Sequence, residues 1–222
     1  MLIAGLIDRN ESLAQTANLI NVILTSLKHK TSIVNSKNLA EWGYSKVKNY
    51  INELEKNGTS ILILKIDVND INFNIFKYFQ FDIILYALHN NENDSEQEKE
   101  RKRDIIKEIR SALNDNGIMI INDDFIDSTI LLDNLKIDPV TYGFNSKASI
   151  TTSSIDDTMF EKGFMFYQRK PIKSVKGKII GPQEYRIDVG EKEIDVYGIL
   201  GAVAFAVASG VEFEQVTTPS RM

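Results

Sequence analysis

The sequence predicts an α/β fold, with a mostly parallel sheet flanked by helices and a small antiparallel sheet appended in the C-terminal third. Continuous apolar runs at 61–66, 82–87 and 118–121 are typical of strands that are buried on both faces. Helical patterns separate these runs, and such alternation favours a parallel sheet with helices on both sides. After residue 147 the pattern changes to short strand-like segments joined by turns, which favours antiparallel pairing.

Strands and helices alternate along the first 146 residues. Segment 44–57 illustrates how the helices are assigned, because its apolar residues recur at helical spacing and Gly58 follows as a stop signal. The expected strands are 2–4, 31–35, 61–66, 82–87, 118–121 and 140–142. The expected helices are 12–27, 44–57, a charged segment that ends at Leu113, and 128–135.

The last third of the chain should form three short strands and then a buried helix. These segments are 148–155, 163–168 and 176–188 for the strands and 197–209 for the helix. We therefore expect one domain with three parts: a parallel α/β core (1–146), a small antiparallel sheet (147–192), and a final helix with its tail (193–222).

The composition excludes several classes of function. The 222 residues carry a net charge of −5 and include no cysteine. An acidic chain lacks the basic footprint of nucleic-acid-binding proteins, and without cysteine neither a disulfide nor a thiolate zinc site can form. The N-terminus does not resemble a signal peptide, and the apolar run at 196–211 is shorter than the roughly twenty residues that span a bilayer. We expect a cytoplasmic protein that binds neither nucleic acid nor membrane.

The segment GLIDRNES, residues 5–12, has the position and length of a phosphate-binding P-loop, which predicts a sheet of the P-loop type. Such a loop cradles phosphates with backbone N–H groups and directs a lysine at them, with Ser or Thr on the magnesium ion. Gly5 opens the segment and Ser12 keeps the hydroxyl, but Asn10 and Glu11 stand where glycine and lysine are needed. The sequence therefore predicts a degenerate P-loop, whose frame is retained and whose phosphate chemistry is lost.

Six further stretches extend this pattern along nearly the whole chain: FDIILYAL, RKRDII, NGIMIINDDF, DPVTYGF, DVYGILGAVAFAVASGVEFEQV and PSRM. Together they resemble the central, ATP-binding domain of the Mur ligase family, which includes the UDP-N-acetylmuramoyl-peptide synthetases of peptidoglycan and the folylpolyglutamate synthetases. The resemblance implies an ATP-dependent ligase reaction, in which a carboxylate is phosphorylated and an amine attacks the acyl phosphate to give an amide. Such catalysis relies on magnesium and lysine to cancel phosphate charge.

Several positions that matter to the family's chemistry hold a different kind of residue here. Glu11 replaces the loop lysine, and Lys65 replaces a metal-binding glutamate. The family's aspartate–histidine pair falls on Asn91 and Glu92, and Asp94 matches a later aspartate. Because the first two changes invert the charge at neighbouring positions of the family fold, the resemblance leaves two alternatives: Glu11 and Lys65 pair with each other, or both side chains are solvated and point apart.

Other family positions keep a usable residue. Asn122 matches the adenine-contacting asparagine, or Ile121 does if the paired aspartates that begin at Asp123 are aligned with those of the family. Lys102 stands where the family has a carbamylated lysine and is the one catalytic candidate. Arg221 stands where the family has a linker arginine.

Three hypotheses follow. In the first, which we favour, the chain is a pseudoenzyme that keeps the fold, needs no cofactor and serves a binding or regulatory role towards an unidentified protein partner. In the second it is a ligase of cell-wall peptide or folate type that uses Mg-ATP, together with Asp67, Glu92, Asp94 and Lys102, and needs missing domains or a partner. In the third it is an unrelated doubly wound domain that binds a small ligand where its strands end.

Overall fold

The computed structural model describes residues 1–69, 71–88, 95–125, 138–152, 164–187, 195–211 and 213. The strands of the main sheet are β1 (Leu2–Asp8), β2 (Thr31–Asn35), β3 (Ile61–Asp67), β4 (Phe81–Tyr86), β5 (Leu113–Asn122), β6 (Val140–Tyr142), β7 (Ile150–Thr151), β8 (Phe164–Gln168) and β11 (Gln183–Ile187). A second sheet pairs β9 (Ile172–Lys173) with β10 (Ile179–Ile180). The described helices are α1 (Asn10–Ser26), α2 (Ser36–Ala40), α3 (Tyr44–Lys56), α4 (Asn74–Tyr78), α5 (Glu96–Ala112) and α6 (Val196–Ala208).

The main sheet has the strand order β11-β8-β7-β6-β5-β4-β1-β3-β2. All neighbours from β2 to β7 are parallel, whereas β8 is antiparallel to β7 and β11 is antiparallel to β8. The predicted fold class is confirmed: a mostly parallel sheet is flanked by helices, and the pair β9/β10 forms a small antiparallel sheet. In addition, β8 and β11 continue the main sheet instead of standing apart from it.

Helices cover both faces of the main sheet. On one face α1 and α6 pack against β1, β3, β4, β5 and β6, and on the other face α3, α4 and α5 form a second hydrophobic cluster. Residues 199–208 of α6 are all buried, because this helix lies against α1 as well as against the sheet. Its apolar sequence therefore indicates a core helix, and within the described ranges no helix is both long and apolar enough to cross a membrane.

The element bounds agree with the sequence pattern in most places. Strands β2 and β6 have the predicted bounds, and α6 begins one residue before the predicted helix. The five-residue helices α2 and α4 were not predicted, because elements this short show no periodicity. Strand β5 starts at Leu113 rather than at 118, since residues 114–117 form an irregular step where its pairing with β4 shifts register. The helix predicted at 128–135 lies outside the described residues.

Candidate functional site

The junction between β1 and α1 differs from the predicted P-loop. Strand β1 runs through Asp8 and helix α1 begins at Asn10, so a single residue, Arg9, connects them. The prediction of an eight-residue loop at 5–12 is wrong, because Leu6 and Ile7 are fully buried and continue the strand. Gly5 lies inside β1, where a Cβ atom would come within 3.2 Å of the Phe81 ring. Its small size therefore serves strand packing and not the approach of a phosphate.

A carboxylate of the chain itself occupies the N-terminus of α1. Asp8, which is 5% exposed, accepts a hydrogen bond from the Arg9 backbone N–H at 2.7 Å and another from the Ser12 hydroxyl at 2.6 Å. Backbone N–H groups and the helix dipole make a helix N-terminus favourable for negative charge. Here Asp8 supplies that charge, so Ser12 is committed to an internal contact. The side chains of Asn10 and Glu11 lie outside the described part of the chain.

The neighbouring strand end adds a second carboxylate. In the parallel pairing of β1 with β3, Lys65 lies beside Leu6 and Asp67 lies beside Asp8. Since side chains alternate along a strand, these four residues face the same side of the sheet, the side of α1 and α6. The Asp67 carboxylate accepts the Asn69 backbone N–H at 2.9 Å. Two aspartates therefore end adjacent strands at the carboxyl edge of the sheet.

Helix α6 also begins at this edge, and an aspartate caps it. The Asp195 carboxylate accepts the backbone N–H groups of Tyr197 and Gly198, each at 3.2 Å. Burial raises the pKa of the nearby Tyr142 phenol far above its usual range, and the charges of Asp8 and Asp195 raise it further. The phenol therefore stays protonated, and its carboxylate neighbours make the centre of this edge electronegative.

Asn122 ends β5 in the middle of this cluster. It is 1% exposed and forms a side-chain hydrogen bond with Tyr142, which lies beside it in β6. A second Asn122 contact is local: its side-chain oxygen accepts the Asp124 backbone N–H at 3.0 Å. The predicted adenine-contacting position is thus at the expected strand end, but its amide is used within the protein.

Asp124 closes the next part of the edge. Its carboxylate accepts the backbone N–H groups of Phe144 at 2.6 Å and of Asn145 at 2.7 Å. The intervening backbone is tight, because Gly143 has φ of +146° and a Cβ there would lie 2.7 Å from an Asp124 oxygen. Burial, followed by the charge of Asp124, raises the pKa of Tyr197, which also packs against the Phe144 ring at 5.3 Å. These contacts join the ends of β5 and β6 to the start of α6.

Of the remaining predicted site residues that the structure describes, Asp123 is at this edge and Lys102 is not. Lys102 lies on α5, which packs on the opposite face of the sheet from α1. Asp123 follows β5, and its side-chain Oδ2 is buried without a hydrogen-bond partner among the described residues. The other predicted positions, Asn91, Glu92, Asp94 and Arg221, lie outside the described residues, as does His89. Among the residues that are described, no group of three or more His, Asp or Glu side chains is arranged to hold a metal ion.

Sequence reasoning missed Asp8 and Tyr142. The sequence signal for Asp8 was weak, because Asp8 lies one residue before the N-cap position of α1, which Arg9 occupies. Tyr142 gave no comparable signal, since its contact with Asn122 depends on how β5 and β6 align in the sheet.

Comparisons with known proteins support the fold. No protein-family model matches the sequence, and no curated protein matches it significantly. Among solved structures, a UDP-N-acetylmuramoyl-L-alanyl-D-glutamate–2,6-diaminopimelate ligase is similar with a TM-score of 0.60 and 13% identity, over 95% of this chain and 43% of that one. A bifunctional folylpolyglutamate synthase/dihydrofolate synthase with bound Mn, AMPPNP and L-glutamate has a TM-score of 0.58 and 9% identity, over 98% and 58%.

A third similar structure is the corresponding bifunctional enzyme from Yersinia pestis, complexed with AMPPNP and Mn ion. It has a TM-score of 0.59 and 10% identity, over 95% of this chain and 54% of that one. The chain therefore has the fold of the Mur ligase and folylpolyglutamate synthase proteins, as the sequence resemblance predicted. It spans about half the length of these proteins, between 43% and 58%.

Proposed function

We propose that this chain keeps the fold of a Mur-ligase central domain, has lost ATP-dependent ligase chemistry and serves as a binding or regulatory module towards another protein. The observation that carries the proposal is the Asp8 carboxylate, which accepts hydrogen bonds from Arg9 and Ser12 at the N-terminus of α1. In a nucleotide-binding loop this is the place of the phosphates. In this chain the Asp8 carboxylate, which is already hydrogen-bonded, stands in the place of the phosphates.

Electrostatics opposes nucleotide binding at this position. Two unit negative charges about 4 Å apart repel by roughly 4 kcal/mol at an effective dielectric constant of about 20. A triphosphate would meet Asp8 and, beside it, Asp67. In addition, Glu11 stands at the position where the family has the lysine that neutralises phosphate. Together these carboxylates oppose binding by more than ordinary surface contacts can offset.

The ligase hypothesis gains support from a different observation, the AMPPNP and Mn bound in two of the similar structures. For this chain it would require Asp67 and Lys102 to act with Glu92 and Asp94, which lie outside the described residues. Asp67 lies at the end of β3 on the α1 side, but Lys102 lies on α5, across the sheet. The third hypothesis, an unrelated doubly wound domain, is disfavoured by the antiparallel strands that follow β7.

Titration with Mg-AMPPNP and Mn-AMPPNP separates the first two hypotheses. We expect no saturable heat in calorimetry. We also expect an unchanged melting temperature in about 5 mM nucleotide, a concentration far above the Kd of a functional nucleotide site. The negative result is informative, because a ligand with Kd near 10 μM would add about 3.7 kcal/mol of stability at that concentration. Micromolar binding that is lost in Ser12→Ala would establish a working nucleotide site and overturn the proposal.

A further inference from the structure

A cavity of about 1130 Å³ is centred on the amino-terminal edge of the sheet. Most of its wall comes from residues at the starts of β5, β6 and β7 and from residues 170–177. Thr141 and Ser149 contribute to its wall, and their hydroxyl oxygens are 3.2 Å apart. The volume is slightly above the roughly 300–1,000 Å³ that is usual for small-molecule sites. Open α/β sheets usually bind ligands at the carboxyl edge, so this location is distinct.

Parallel strand topology explains why four loops meet there. Strands β5, β6 and β7 all begin at the amino-terminal edge, and β8, which runs the opposite way, ends at it. The irregular step in β5 closes one side of the cavity. Gly117 makes that step possible, because a Cβ there would come within 2.9 Å of the Asn114 carbonyl oxygen. On another side β9 contributes Lys173 and the β9–β10 turn contributes Lys176.

The cavity is lined by more basic than acidic side chains, in a protein whose net charge is −5. The basic residues are Arg110, Lys147, Lys170, Lys173 and Lys176. In the part of the chain that the structure describes, none of these five forms an ion pair. Two of them are held close together, since the Lys170 ammonium donates to the Lys147 carbonyl oxygen at 2.6 Å. Unpaired cations gathered at a concave surface attract anions from solution.

We propose that this cavity binds a small organic anion that carries phosphate or carboxylate groups, and that its basic residues hold these groups. This site is independent of nucleotide binding at α1. It gives the protein a means of responding to a metabolite even without ligase chemistry.

Calorimetry with glucose 6-phosphate and with citrate tests the proposal and distinguishes its phosphate and carboxylate forms. We expect at least one probe to bind with a Kd of about 1 mM or tighter, and binding to weaken as NaCl rises from about 0.05 to 0.5 M. The double variant Lys173→Glu/Lys176→Glu should weaken that binding at least about tenfold. Both lysines are exposed, Lys173 at the end of β9 and Lys176 in the turn that follows, so the fold should persist, which circular dichroism checks.

The matched control is Lys48→Glu/Lys56→Glu, which makes the same charge change on α3, near the other end of the sheet. Its probe affinity should stay within about twofold of the unmodified protein, because charges beyond a Debye length are screened. Amide NMR signals provide a readout that needs no variant. The Gly117 and Gly177 signals should shift on titration while those of Gly5 and Gly58 stay in place. Absence of saturable binding by both probes up to about 10 mM, or equal weakening in the two double variants, would refute the proposal.

Discussion

Replacing Asp8 with asparagine tests whether this carboxylate stabilises the start of α1. The carboxylate makes two short hydrogen bonds, of 2.7 Å to the Arg9 N–H and 2.6 Å to the Ser12 hydroxyl. Hydrogen bonds to a charged group contribute about 1.5–3 kcal/mol each, whereas a neutral amide acceptor contributes about 1. Asp8→Asn keeps one acceptor oxygen, weakens its bond and turns the other oxygen into a donor. Relief of repulsion from Asp67 recovers part of the loss, so we expect a destabilisation of about 1–2 kcal/mol.

Urea unfolding at pH 7 measures this change, as a lower midpoint with an unchanged slope. In a chain of this size, a loss of 1 kcal/mol corresponds to a melting temperature lower by about 2–4 °C. The control is Asp67→Asn, which removes the same charge from the adjacent strand end, where the carboxylate accepts the exposed Asn69 N–H. We expect that control to change stability by less than about 0.5 kcal/mol. If Asp8→Asn were as stable as the unmodified protein, the carboxylate would not be the helix anchor that the geometry indicates.

Two further predictions concern other parts of the molecule. In thermal unfolding, Gly143→Ala should destabilise the fold by about 2 kcal/mol or more, because alanine disfavours a φ of +146° and its Cβ would lie 2.7 Å from an Asp124 oxygen. The control is Gly181→Ala, which should be nearly neutral in the same assay because no atom lies within 4 Å of the new Cβ. Burial and then the charge of Lys176 lower the pKa of His29 below its usual value. As the pH falls, His29 is therefore protonated in the unfolded chain before it is protonated in the folded protein. This difference lowers the free energy of unfolding as the pH falls through about 6.5 towards the pKa of His29 in the folded protein. Proton NMR titration of Lys176→Ala should show the His29 pKa moving up towards 6.5, and an unchanged value would contradict the charge effect.

The sequence predicts the layout of this fold well wherever a local pattern decides the structure. Strands β2 and β6 were predicted with their observed bounds, since turn residues flank short apolar segments there. The predicted end of β1 was wrong because residues 5–12 were assigned by their resemblance to a P-loop and not by their local apolar pattern. Leu6 and Ile7 continue the apolar run of β1, and this pattern alone would have extended the strand towards Asp8.

The candidate site was predictable only in part, because its contacts join residues that are far apart in sequence. Asn122 was placed correctly at the end of β5, but its contact with Tyr142 is set by the register between β5 and β6. Likewise, the proximity of Asp8 to Tyr142 depends on how β1, β4, β5 and β6 follow one another across the sheet. The proposed ion pair between Glu11 and Lys65 stays a prediction, since the Glu11 side chain lies outside the described residues.

The distribution of charge gives the two edges of the sheet different capacities for anions. At the carboxyl edge two helices, α1 and α6, begin, and the N-terminus of each carries a positive partial charge of roughly half a unit. Asp8 and Asp195 each place a full negative charge on one of these termini. The two carboxylates therefore more than cancel the positive partial charges of the helix termini at this edge. Around the large cavity, by contrast, the basic side chains have no carboxylate partner among the described residues. An anion approaching this protein is therefore repelled from the place where parallel sheets with this topology usually hold phosphate, and attracted to the cavity at the amino-terminal edge. A single sequence change at the first edge, such as Asp8→Asn, should consequently leave anion binding at the second edge unaltered, whereas a shared site would make the two change together.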